Sequence, residues 1–391
     1  MKPVLHVIPS LDKRDGGPSV ALPLMARSLA MQGITVDVVT TMAAADAEAK
    51  GIVFEQPLPR DGYTVRFFKR QTSFYKVSWP MLRWLMQHSR DYALMHHHAL
   101  FSFAPLAGAF AAYRHQVPYI MRPLGLLNAW GMQNRRRWVK DFSFRCLDRP
   151  ALEHAAAIHY TSTEEQAEAA RLHLRTRAAV IPLGIDLAPF QQLPEPRLFF
   201  ERFPSAAGRR VVLFLSRLDP KKGIELLLDA FAALREHRRD TVLVVAGSGE
   251  REYEARLRAQ AEALHLQEGL ELLWPGFLDG EDKRAALAAA DLFVLPSRSE
   301  NFGIALLEAM AAGRACISTD QVALAVDTHD TAALTVVPCD AAKLSHAMAV
   351  ALDDDALRLA MGHRAAAIAL ERYSLQAQGI SLAKLYRDLL S

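Results

Sequence analysis

Residues 290–313 read ADLFVLPSRSENFGIALLEAMAAG. Residues 290–296 are a short apolar run ended by Pro296, the mark of a buried strand. Beyond it Ile304, Leu307, Met310 and Ala311 recur at helical spacing. The polar loop between them therefore lies at the carboxyl end of a strand, where open α/β sheets bind their ligands. Gly303 lets backbone amides approach a ligand, and the helix start behind it offers free N–H groups to an oxygen-rich partner. Glu300 and Glu308 bracket this loop. Alone, such a pair of carboxylates also fits a solvated helix face, so the rest of the chain has to decide.

On either side, apolar strands and amphipathic helices alternate from end to end, which predicts a parallel α/β architecture. VLHVIP, TVDVVTT, YALMHH, VPYIMRP, AAIHYTS and AAVIPLGID supply strands for a first half. RVVLFLS, TVLVVAG, LELLWPG, DLFVLP, RACIST and LTVVP supply a second set. Between them, residues 187–210 carry several prolines and no long period. The expected organisation is a domain over 1–190, a linker over 191–208, a second domain over 209–374 and a final helix over 375–391. That helix either finishes the second half or crosses back to the first, and the plain finish is the simpler expectation. Two doubly wound halves would face one another across a cleft, a common place for small-molecule sites.

Composition narrows the functional classes. The 391 residues are 51% hydrophobic and 23% charged, enough for two proper cores. A net charge of +3 is too balanced for a dedicated nucleic-acid binder. Cys146, Cys316 and Cys339 are too scattered for a disulfide framework or a zinc site, which fits a reducing cytoplasm. The first ten residues hold too short an apolar run for a signal peptide, and no 18-residue apolar stretch exists.

Two further segments carry chemistry. In SRLDPKKG, residues 216–223, Arg217 ends a strand and Lys222 precedes a helix start at Gly223. A forked guanidinium beside an ammonium suits a diphosphate, although a solvated basic turn has the same composition. No GxxxxGK[ST] is present, so this is not a Walker loop. In IPSLDKRDGGPS, residues 8–19, Gly16 and Gly17 precede a helix and allow close approach of phosphate or sugar, or simply form a flexible turn.

Together these segments resemble the retaining family 4 glycosyltransferases with the two-Rossmann-domain GT-B fold, over nearly the whole chain. Residues 296–319 match that family's E-x7-E signature, SRLDPKKG its arginine–lysine segment, IPSLDKRDGGPS its N-terminal glycine loop, and VIPLGID the end of its first domain. The resemblance implies that Arg217 and Lys222 neutralise the donor diphosphate, and that Glu308 accepts hydrogen bonds from ribose hydroxyls. Glu300, with the amides around Phe302 and Gly303, would hold the transferred sugar. The Gly276–Phe277 loop would meet the base, and Gly16 and Gly17 would approach the phosphates from the other domain. It further implies a UDP- or GDP-linked sugar donor, a glycan or lipid-linked acceptor, a setting in bacterial polysaccharide assembly, and no metal or other cofactor. A phosphorylase or epimerase of the same fold, or a non-catalytic partner subunit, are the alternatives, and the E-x7-E match with intact cations speaks against them.

The acceptor side departs from the pattern. Leu124 stands where many members carry a histidine, and Leu183 where asparagine is usual. His96, His98 and Arg122, near strand ends of the first half, are the remaining acceptor-side candidates. The segment 133–145, QNRRRWVKDFSFR, mixes Arg135, Arg136, Arg137, Lys140 and Arg145 with Trp138, Phe142 and Phe144. It fits either peripheral contact with an anionic leaflet or a plain solvated helix.

Overall fold

The structure, a computed structural model, describes residues 2–12, 17–127, 143–300 and 302–391. The chain divides into two compact units, Met1–Ile185 with Leu375–Ser391, and Asp186–Ser374.

The first unit is built on an eight-stranded sheet. Its strands are β1 Val4–Val7, β2 Val36–Met42, β3 Pro57–Arg60, β4 Tyr63–Lys69, β5 Leu94–His98, β6 Tyr119–Arg122, β7 Ala157–Tyr160 and β8 Ala178–Val180. They lie in the order β3-β4-β2-β1-β5-β6-β7-β8. All neighbours are parallel except β3 and β4. Both faces are covered, so the central strands are continuous runs of buried residues rather than alternations. Val4 packs with Leu22, Met25 and Leu29 of the helix Gly17–Ala30, while Leu5 and Val7 pack toward Met81, Leu85 and Ala107.

Two features of this unit depart from expectation. The hairpin β3–β4 is absent from the strands read above: Pro57 and Pro59 silence the strand pattern, and the ladder tolerates them because β3 is an edge. The final helix, Leu375–Leu390, belongs to this unit and does not simply finish the second. It buries Leu382, Leu385 and Tyr386 in the core of the first sheet. It also runs so close to the helix Gly17–Ala30 that a Cβ on Gly379 would lie 2.2 Å from the Ser28 carbonyl oxygen.

The second unit holds a six-stranded, all-parallel sheet of β9 Arg210–Leu215, β10 Thr241–Ala246, β11 Leu272–Gly276, β12 Leu292–Leu295, β13 Ala315–Thr319 and β14 Thr335–Val337. The order is β11-β10-β9-β12-β13-β14. The chain steps outward from β9 to β11, then returns to lay β12 on the other side of β9. That reversal opens a crevice at the carboxyl ends of β9 and β12, the switch point where such sheets bind ligands. The expected linker is not extended: it contains the helix Arg197–Arg202, with Phe199 buried and Arg202 paired to Asp282 at 2.7 Å, and so is part of this unit.

Candidate active site

The loops after β9 and β12 are locked together at the switch point of the second unit. Gly223 has φ +67°, and a Cβ there would lie 2.0 Å from the Pro296 carbonyl oxygen, so only glycine lets the two backbones touch. Arg298 N donates to Lys221 O at 2.7 Å across the same seam. Asp219 caps the turn Pro220–Lys222 through Lys221 N. On the other flank, a Cβ on Gly247 would lie 1.8 Å from Ser216 O, and Leu218 N donates to Ser248 O at 2.9 Å. The glycines of VVAGSGE therefore serve to seat the segment that carries Arg217.

This framework brings Lys222 and Glu300 together. The Lys222 Nζ donates to a Glu300 carboxylate oxygen, and both side chains are largely withdrawn from solvent. Burial, followed by the nearby Arg217 guanidinium, pushes the Lys222 ammonium down to about 8. The paired Glu300 carboxylate acts in the opposite sense and favours the charged form. Arg217 itself is exposed beside them, with no ion-pair partner among the described residues. Glu300 is held by its backbone, which pairs with residues 321–323 through Glu300 N to Gln321 O and Ala323 N to Glu300 O.

Phe302 and Gly303 shape the loop and need no side-chain contact with a ligand to do so. Phe302 is buried with its ring edge-on to Tyr373. Gly303, at φ +101°, begins the helix Ile304–Ala311 and leaves its first-turn amides facing the loop. On that helix Glu308 accepts from Lys283 Nζ at 2.7 Å, and Lys283 lies over the Phe190 ring at 5.9 Å. Lys283 was not singled out in the sequence, where it sits among Glu281, Asp282 and Arg284 and looks like ordinary helix surface. Gly276, at φ +76°, ends β11, and Phe277 after it is exposed, free to meet a flat ring.

The first unit treats its candidates differently. Gly17 opens the helix Gly17–Ala30 after the loop that follows β1, and Gly16 lies outside the described residues. So do Arg135, Arg136, Arg137, Trp138, Lys140 and Phe142, while Phe144 is buried and Arg145 exposed. His96, His98 and Arg122 are fully buried, so the structure places them inside the unit rather than on a surface open to an acceptor. His6 Nδ1 lies 3.0 Å from His98 Nε2, and His159 Nδ1 lies 3.3 Å from His96 Nε2. Tyr386 of the final helix bridges His96 Nδ1 at 2.8 Å and His6 Nε2 at 3.2 Å. Burial, with Arg122 nearby, holds all four imidazoles well below their usual range, His6 at about 3. They form an internal relay of neutral rings. His6, His96 and His98 also cluster closely enough to offer three ligand atoms to a metal, but the adjoining Arg122 guanidinium opposes a dication there.

Comparison with known proteins follows the same division. Residues 197–367 match the family "Glycosyl transferases group 1", and residues 16–184 match "Glycosyl transferase 4-like domain". The chain is 33% identical over 184 residues to the α-D-kanosaminyltransferase of Streptomyces kanamyceticus, covering 46% of each chain. It is 36% identical over 190 residues to the phosphatidyl-myo-inositol mannosyltransferase of Mycolicibacterium smegmatis, covering 47% of this chain and 45% of that one. The chain thus spans about half the length of these curated relatives. In fold it resembles Anabaena HepE, solved in complex with UDP, with a TM-score of 0.78, 19% identity, and coverage of 99% of this chain and 100% of that one.

Proposed function

The chain belongs to the family 4-like glycosyltransferases of the GT-B fold, and from that premise we propose a retaining, metal-independent transfer of a sugar from a UDP- or GDP-linked donor to a glycan or lipid-linked acceptor in bacterial polysaccharide assembly. The observation that carries this reading is the Lys222–Glu300 pair at the switch point, with the exposed Arg217 beside it. Without donor, the ammonium and the carboxylate satisfy each other. A donor diphosphate offers Lys222 and Arg217 a doubly charged partner, and Glu300 is released to accept hydrogen bonds from the sugar hydroxyls.

In the reaction the bond from the anomeric carbon to the phosphate oxygen breaks, and the acceptor hydroxyl oxygen bonds to that carbon on the same face. The hydroxyl proton passes to the departing phosphate. Arg217 and Lys222 neutralise the charge that grows on the leaving diphosphate, the preorganised electrostatic role that otherwise falls to a metal ion. Glu308, positioned by Lys283, holds the ribose, and Phe277 meets the base. The setting is cytoplasmic, with the basic segment ending at Arg145 suiting peripheral contact with the inner leaflet. Among the described residues, no helix is long and apolar enough to cross a membrane.

The test is a panel of UDP- and GDP-sugars incubated with the enzyme, with and without EDTA. Slow acceptor-free hydrolysis of one donor to the sugar of unchanged anomeric configuration, insensitive to EDTA, is the expected result. Absence of hydrolysis across the panel contradicts a catalytic role, and manganese-restored activity contradicts the metal-free mechanism.

A further inference from the structure

Before Arg114 and His115 in its last turn, the helix Phe103–His115 of the first unit is apolar all round. Its inner face is made of small residues, Ala104, Ala107, Gly108, Ala111 and Ala112, packed against the sheet. A soluble helix would place charges opposite; this one turns Leu106, Phe110 and Tyr113 outward at i, i+4, i+7 spacing. Phe110 is 56% and Tyr113 63% exposed. With Leu147 and Pro150 they line an apolar groove of about 330 Å³. The patch continues past Phe103, whose ring meets Trp79 edge-on at 5.6 Å, and Trp79 is 62% exposed. Four aromatic side chains of this unit, Phe74, Trp79, Phe110 and Tyr113, are thus largely in solvent within one stretch of chain that carries two contacting helices.

Charge distinguishes among the partners that could cover this face. Between Asp61 and Asp141 the chain has a single acidic residue, Asp91, while lysines and arginines recur throughout. Asp91 is 3.1 Å from His88, and Glu153 near the groove is paired to Arg149 at 2.8 Å. Arg83 and Arg114, carried by the same two helices as Trp79, Phe110 and Tyr113, are exposed, as is Arg145 beside the groove residue Leu147 in sequence. Aromatic side chains flanked by cations, with acids absent or paired, match the boundary between lipid headgroups and acyl chains. A protein partner would more readily be matched by mixed charge at the rim.

We propose that the face formed by the helices Trp79–His88 and Phe103–His115 docks the protein on an anionic phospholipid bilayer, with Trp79, Phe110 and Tyr113 entering the headgroup boundary and the arginines on the phosphates. This deepens the membrane part of the functional reading by naming a surface, and it is tested without donor or acceptor, so its failure leaves the donor site untouched. The experiment is co-sedimentation of the full chain with vesicles of phosphatidylglycerol and phosphatidylcholine in equal parts, and with phosphatidylcholine alone. Wild type should sediment with the mixed vesicles and release as salt rises. The variant Phe110→Asp/Tyr113→Asp should lose at least tenfold in partitioning while its circular dichroism and nucleotide binding stay unchanged. Arg83→Gln and Arg114→Gln should each lose about fivefold on the mixed vesicles only. The proposal is overturned if wild type ignores anionic vesicles, if the aspartate variant partitions like wild type, or if wild type is a dimer that this variant makes monomeric, which would mean a second copy covers the face.

Discussion

Lys222 and Glu300, 78 positions apart in sequence, form an ion pair because Gly223 lets the loop after β9 touch the loop after β12 at Pro296. In the proposed mechanism each holds the place of a ligand group. Removing one leaves the other partly buried without its counter-charge. Lys222→Ala and Arg217→Ala are expected to cost roughly 2–4 kcal/mol of transition-state stabilisation, as for loss of one preorganised charge-stabilising donor. The fall should appear mainly in kcat, read from initial rates on saturating donor. Unchanged turnover in both variants would remove them from the diphosphate role.

Glu308 and Lys283 should behave as a unit. If Glu308 holds the ribose, which does not change during reaction, Glu308→Ala raises KM with a smaller effect on kcat. Lys283→Met should reproduce this in milder form, and the double variant should cost less than the sum of the two. Strict additivity would separate Lys283 from the site. Glu300→Ala should instead lower kcat if Glu300 faces the reacting sugar, as proposed.

The pH dependence of kcat/KM should carry the Lys222 signature. Its ammonium is pushed down to about 8, so the charged form is full below that pH and is lost as pH rises through it. Donor capture should therefore fall on the alkaline side. In Lys222→Arg, which stays charged, the alkaline limb should move to higher pH even if the plateau is lower. An alkaline limb that stays in place in Lys222→Arg would assign it to another group.

Much of the cluster at the switch point was legible in sequence because its residues are local. Arg217 and Lys222 share one turn, and Glu300 to Glu308 span one loop and helix. Lys283 was not, because its partner is 25 positions away and nothing in its surroundings separates it from surface lysines. The sequence leaves the final helix between two placements for the same reason: Gly379 and Tyr386 find their partners, Ser28 and His96, across most of the chain. The acceptor-side histidines failed differently. Their place near strand ends was read correctly, but burial depends on which helix covers that face, and the covering helix is the last element of the sequence.

Acid stability should separate the two units. His6 and His97 are pushed down to about 3 in the folded chain, and burial also lowers His96, His98 and His159. On unfolding these rings take protons near 6.5, so the unfolded state binds more of them and the first unit loses stability as pH falls from about 6.5 toward 3. The slope is at most about 1.4 kcal/mol per pH unit for each histidine. Hydrogen exchange should show β1, β5 and β7 losing protection between pH 6.5 and 5 before β9 and β10 do. Equal loss in both units would contradict the relay of neutral rings.

A donor diphosphate site at the Lys222–Glu300 pair is tested most sharply by calorimetric titration of UDP and GDP into wild type and Lys222→Ala, without metal. One of the two nucleotides should bind wild type, and Lys222→Ala should weaken it about tenfold or more, the loss expected for a hydrogen bond to a charged group. Failure of both nucleotides to bind wild type, or equal binding by Lys222→Ala, would contradict a donor diphosphate site at the Lys222–Glu300 pair.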